Sequence, residues 1–149
     1  MHRSPRQPTR RTAAALCLGT LALAVTACTT QAAGTSPSTP NLTGTEWRLT
    51  ALGSDAALPQ PQATLAFPDA GRAAGHTSCN RFFGSVNVQG TTIRFSQLGA
   101  TRMACIGPAD GQERRVLKSL ASAHRFELSG DTLVIHAPGA DTLRYTRTK

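Results

Sequence analysis

Four cysteines hold most of the chemistry open to this 149-residue chain. A thiolate is a nucleophile, a metal ligand and a disulfide partner. Cys79 and Cys105 lie 26 positions apart in the body of the chain, and Cys17 and Cys28 lie near its start. His76-x-x-Cys79, taken with Cys105 and with His124 or His136, would give a zinc-type donor set. No tight second pair such as Cys-x-x-Cys stands beside it, so no metal is expected. Catalytic patterns are also missing: there is no Gly-x-Ser-x-Gly elbow and no phosphate-cradling glycine loop. The eight acidic residues are too scattered for a carboxylate pair. The expectation is a protein that is not an enzyme and needs no cofactor. Cys79-Asn80-Arg81 has two readings. In the first, Asn80 supports a tight turn through its side chain, while Arg81 bonds carbonyls or a carboxylate such as Glu113. In the second, the tripeptide is a polar binding spot for an anionic ligand.

The other two cysteines belong to an addressing segment. Arg3, Arg6, Arg10 and Arg11 precede an uncharged 15-residue run, Ala13 to Ala27. A basic, then apolar, then small order marks an export signal, and the run is short of the about 20 residues that span a bilayer. Val25-Thr26-Ala27-Cys28 resembles the bacterial lipobox, with Val where Leu is commoner. Residues 1–27 therefore read as a lipoprotein signal peptide and Cys28 as the lipidated residue. An ordinary secretory signal cut nearby is the alternative. Two or more acyl chains anchor a protein stably where one does not. Residues 28–41, rich in Thr, Ser, Ala, Pro and Gly, cannot bury a core and read as a flexible tether.

Removing the signal changes the arithmetic. Four arginines and no acids leave with it, so the net charge falls from +8 to +4, twelve basic residues against eight acidic. The basic residues are scattered and lack an aromatic motif, which argues against nucleic acid. Cys79 and Cys105 remain as one pair. An oxidising compartment lets them join, which in the chain-entropy account stabilises by roughly 3 kcal/mol; two buried free thiols are the alternative.

These residues must be positioned by the span 42–149, about one domain in size. Period-two alternation marks strands in Glu46–Thr50, Thr64–Phe67 and Gly84–Val88, and turn signals mark Arg72–Thr77 as the return strand of a hairpin and Thr92–Phe95, Arg125–Leu128, Thr132–His136 and Thr142–Tyr145 as further strands. Gly, Pro and Asp separate them, which predicts an antiparallel sheet, curved or closed as a barrel. One α-helix is expected at about 111–123, with Asp110 as N-cap and Glu113 three residues on. Val116, Leu117 and Leu120 share its apolar face. The fold class is thus α+β, mainly antiparallel β-sheet. Trp47, Phe67, Phe82, Phe83, Phe95 and Phe126 are expected in the core. Adjacent Phe82 and Phe83 would point to opposite sides if extended, so that one is exposed and marks a partner surface.

Gly75-His76-Thr77-Ser78-Cys79-Asn80-Arg81-Phe82-Phe83-Gly84 and Leu98-Gly99-Ala100-Thr101-Arg102-Met103-Ala104-Cys105 form a specific pair of blocks. With Leu42-Thr43-Gly44-Thr45-Glu46-Trp47 before them and the 128–133 hairpin after, the chain resembles the META domain, or HslJ-like, family over essentially all of 42–145. Members often have Gly before the Cys-Asn pair. Here the residue is Ser78, which tolerates a positive backbone angle poorly. The resemblance implies a compact antiparallel β domain with one helix, in a bacterial envelope protein without established enzymatic activity. Some relatives carry names tied to heat shock, motility or antibiotic tolerance.

Two functional classes follow as expectations. One is a membrane-tethered envelope lipoprotein acting through contacts with another envelope protein, in envelope maintenance or stress tolerance. The other is a small ligand-binding or carrier module in the periplasm. In a host with two membranes, Thr29 beside the lipidated cysteine carries no acidic retention signal, which places the anchor at the periplasmic face of the outer membrane.

Overall fold

The computed structural model describes residues 40–148. The signal segment, Cys28 and the tether as far as residue 39 lie outside the described residues. Nine strands and one helix follow in chain order: β1 (Thr45–Leu52), β2 (Asp55–Ala56), β3 (Thr64–Phe67), β4 (Arg72–His76), β5 (Arg81–Gln89), β6 (Thr92–Ala100), α1 (Pro108–Ala121), β7 (Arg125–Ser129), β8 (Thr132–His136) and β9 (Leu143–Arg147). Every pairing is antiparallel. The order is β2-β1-β3-β4-β5-β6-β7-β8-β9, and β1 also pairs β9. Eight strands therefore close into a barrel, which leaves no long unpaired edge. The short β2 extends the β3 side of β1 at Ala51 and Leu52.

Alternation fills the barrel. Trp47 and Leu49 of β1, Leu65 and Phe67 of β3, Ile93 and Phe95 of β6, Leu133 and Ile135 of β8, and Leu143 and Tyr145 of β9 all enter one core. Two bulges adjust it. On β1 the register to β9 slips between Leu49 and Ala51. The extra residue, Thr50, lets Leu49 and Leu52 both face inward although they are three apart. On β6 the slip lies opposite Phe83–Ser85, and Gln97 takes a left-handed φ of 52°. Gly75 is required by close approach: a Cβ there would stand 2.1 Å from the Thr64 carbonyl oxygen and 2.7 Å from the Phe82 ring. Arg147, directly opposite on β9, lies over Trp47, 4.3 Å from the ring centroid, in a cation–π contact.

The helix crosses the barrel end where β1, β4 and β6 finish and β3, β5 and β9 begin. It starts at Pro108, three residues before the sequence pattern suggested, with Gly107 at the N-cap (φ 70°) and no side-chain cap. Proline at the first position brings a pre-set φ and lacks only an N–H that had no partner anyway. Asp110 consequently sits in the first turn rather than at the cap. There it faces the positive end of the helix dipole and pairs with Arg114. Val116, Leu120 and, just past the helix, Ala123 join the barrel core. The opposite end carries the tight turns at Gly71, Gly90 and Gly130 and the chain entry at Pro40–Thr43. Among the described residues no helix is long and apolar enough to cross a membrane.

Of the adjacent phenylalanines expected to face opposite sides, Phe83 is the exposed one and so is not part of the core. It lies on the outer face of β5 and is 59% exposed, while its neighbour Phe82 is buried at 2%.

Candidate functional site

The turn from β4 to β5 is buried, which is unusual for a connection. Thr77, Ser78, Cys79 and Asn80 are each no more than 4% exposed. A buried loop must satisfy its polar groups from within the protein, and this one does so largely with α1 and the loop 101–107. Cys79 and Cys105 form a disulfide with Cα atoms 6.0 Å apart. It ties the turn to the loop that precedes the helix.

Asn80 is the hub. Its Nδ2 donates to the Met103 carbonyl at 3.2 Å and to Glu113 Oε1 at 3.1 Å. Its Oδ1 accepts from Thr101 Oγ1 and from the Met103 N–H, both at 2.8 Å. Its own N–H donates to Glu113 Oε2 at 2.9 Å, and the Thr77 hydroxyl donates to that oxygen at 2.6 Å. One amide thus uses both donors and both lone pairs on the protein, the full capacity of the group. Gln112 completes the join, donating through Nε2 to Ser78 Oγ and accepting the Leu58 N–H at 2.8 Å.

The expectation for Arg81 is corrected. Its side chain is exposed and pairs with no carboxylate among the described residues. Glu113 faces the buried Asn80 instead. The strand alternation that turns Phe82 inward turns Arg81 outward, so only Asn80 is aimed at the helix. Ser78 adopts φ 87°, the left-handed conformation that glycine takes freely. The Ser78 N–H donates to His76 Nδ1 at 3.1 Å, and the hydroxyl accepts from Gln112. Both sulfurs lie in the disulfide, and His76 Nδ1 accepts the Ser78 N–H. Among the described residues no group of three or more His, Cys, Asp or Glu is placed to hold a metal.

A second polar junction was not visible in the sequence. Arg115 meets Asp141 with two bonds, Nε to Oδ2 at 2.8 Å and Nη2 to Oδ1 at 3.0 Å. It also reaches Asp55 at 3.0 Å and the Leu52 carbonyl at 3.2 Å. One guanidinium thereby joins α1 to β1, β2 and the β8–β9 loop. The bonds from Arg115 hold the Asp141 carboxyl below the ordinary carboxylate range, and those bonds push the Arg115 guanidinium further up. Burial raises the Tyr145 hydroxyl well above its usual value. No charge pattern links residues 55, 115 and 141 along the chain, because only barrel closure brings them together.

Two concavities stand out among the described residues. The larger, about 440 Å³, lies at the end opposite α1, between Leu42, Phe67, the Asp69–Gly71 turn and Val86–Val88. The smaller, about 300 Å³, lies on the outer wall beside Phe83, Arg72 and Gln97.

A family described as META domain matches residues 40–149. An NMR structure of a protein from Burkholderia xenovorans is 28% identical, covers 72% of this chain and 84% of its own, and superposes with a TM-score of 0.60. A second NMR structure, 20% identical, covers 68% of this chain and 87% of its own at a TM-score of 0.59, and it shows likeness of fold alone. No curated protein matches the chain.

Proposed function

Since this chain belongs to the META domain family, we propose that it is a membrane-tethered lipoprotein of the cell envelope whose barrel works without catalysis, through contacts that maintain the envelope under stress. The observation that carries this reading is the order of the first 28 residues: four arginines, an uncharged apolar run, then Val25-Thr26-Ala27-Cys28. The polar groups of the Cys79–Asn80 cluster are directed at one another and use the full hydrogen-bonding capacity of the Asn80 amide, which suits a structural role for that residue. A disulfide in the domain also suits an exported address. In a host with two membranes the anchor belongs at the periplasmic face of the outer membrane.

Intact-mass measurement on protein extracted from membranes tests the reading. The expected species begins at Cys28 and carries two or three acyl chains. An unmodified chain starting elsewhere would defeat it. Cross-linking in the native envelope then identifies partners.

The groove opposite α1 favours a second reading, a small-ligand module. Its volume falls within the range of ligand sites, and Leu42, Phe67 and Val86 supply apolar wall. Native mass spectrometry of the protein purified from its envelope distinguishes the two, since a carrier retains a stoichiometric small molecule.

A further inference from the structure

Among the described residues, three large hydrophobic side chains are exposed: Phe83 at 59%, Met103 at 63% and Ile106 at 92%. All three hang from the same anchor. Phe83 is three residues beyond Asn80 on β5. Met103 is bonded to Asn80 through both its N–H and its carbonyl. Ile106 follows Cys105, whose disulfide partner Cys79 precedes Asn80. Their exposure is therefore built into braced backbone, and large apolar side chains held in water this way point to an interaction site.

The surroundings select the partner. Phe83 lies over Gly99 and pairs across the sheet with Ala74, so the wall around it is low. Arg81, two residues before Phe83 on β5, Arg102, beside Met103 in the chain, and Arg72, which lines the outer-wall concavity with Phe83, are all exposed. Two acids of the neighbouring helix are occupied, Glu113 by Thr77 and Asn80 and Asp110 by Arg114. Apolar side chains ringed by free cations match the edge of an anionic bilayer, where aromatic rings settle among headgroups and each nearby arginine adds about 1 kcal/mol of attraction.

We propose that the Phe83–Met103–Ile106 face, flanked by Arg81 and Arg102, seats the domain on an anionic lipid surface. The proposal draws on the tethered reading only for proximity. The chain enters the barrel beside Asn87, and Arg81 lies six residues back along β5, about 20 Å away. Thr29 to Pro40 is twelve residues of chain, with a maximum reach of about 40 Å, enough for either end of the barrel to face the membrane. Seating would leave the groove at the far end open to the periplasm.

The test uses a chain beginning at Thr29, which lacks Cys28 and contains every strand and the whole core. Binding is measured by flotation with vesicles of phosphatidylcholine containing about one-third phosphatidylglycerol, at low salt. The expected result is flotation that weakens in high salt and in pure phosphatidylcholine. Joint replacement Phe83→Ser, Met103→Ser and Ile106→Ser should lower the partition coefficient at least about tenfold. Arg81→Gln and Arg102→Gln should each lower it about fivefold. Fluorescence of Trp47 checks that the variants are folded. As an independent readout, Ile106→Trp should be quenched by brominated lipid. Equal flotation of native and triple-serine chains, or none by the native chain, overturns the proposal. Capture of a protein partner by this face without vesicle binding also overturns it. Since the test chain carries no lipid, its outcome is separate from that of the intact-mass experiment.

Discussion

Asn80→Ala is the sharpest test of how this domain is held together. The substitution removes two donated and two accepted bonds within a site that is 2% exposed. The Met103 N–H and carbonyl, the Thr101 hydroxyl and Glu113 Oε1 each lose a partner. A net bond is worth about 1 kcal/mol, and more where the partner is charged, as Glu113 is. With four bonds lost and some relief from water entering, the expected destabilisation is about 4 kcal/mol. That is a large fraction of the 5–15 kcal/mol typical of a domain's total. Trp47 is the only tryptophan and is fully buried, so its fluorescence reports urea unfolding of the core directly. With a slope of about 1.3 kcal/mol per molar, the midpoint should fall by about 3 M with the disulfide intact. Asn80→Asp sharpens the test, because it sets a second carboxylate about 3 Å from Glu113 Oε1. At an effective dielectric constant of 20 the repulsion is about 5 kcal/mol before screening, so this near-isosteric change should be at least as damaging as truncation. A loss under about 1 kcal/mol for Asn80→Ala would refute the reasoning, because the network would then hold only in the folded geometry and contribute little to its stability.

Four further outcomes are expected. Replacing both Cys79 and Cys105 by Ser should cost roughly 3 kcal/mol by releasing a loop of 26 residues, measured by urea unfolding with and without reductant; an unchanged midpoint counts against the entropic account. Asp141→Asn should cost about 1 kcal/mol at neutral pH, a modest value because Arg115 is 40% and Asp141 30% exposed. Because the folded-state value of Asp141 lies below its unfolded one, that contribution is complete above about pH 4 and fades as pH falls through the folded value. Native and variant unfolding curves should converge in acid, and a gap that persists there speaks against it. Ser78→Ala should cost about 1–2 kcal/mol because it keeps the left-handed φ and strands the Gln112 amide, whereas Ser78→Gly should lie within about 0.5 kcal/mol of native, since relief of strain offsets the lost bond; equal melting of the two variants would disprove the strain argument. The Ser119 hydroxyl is buried on α1 without a partner, so Ser119→Ala should stabilise by about 0.5–1 kcal/mol, a sign that thermal unfolding checks.

Much of the fold could be read from local pattern. Alternation and turn signals together located eight of the nine strands, because a half-buried strand places every second residue in the core and Gly, Pro and Asp mark the reversals between strands. Asp55–Ala56 escaped, being two residues long and exposed on both. The helix was visible through Val116, Leu117 and Leu120, but its start was displaced because Asp110 and Glu113 imitate a capping box. Pro108 sets the true beginning, and Glu113 is directed to Asn80 instead.

The site divides in the same way. The sequence by itself determined the family resemblance, carried by the two cysteine-containing blocks, and the prominence of Cys79-Asn80-Arg81, since residue type and order carry that information locally. Only the tertiary structure decided that Asn80 rather than Arg81 meets Glu113, that Arg115 joins Asp55 to Asp141, and that Phe83, Met103 and Ile106 are left exposed on backbone tied to the Asn80 hub. Those outcomes depend on barrel closure, on strand register and on which side of β5 faces the helix. A shift of one residue in register would exchange Asn80 and Arg81 between core and surface, and nothing local to the tripeptide fixes that register.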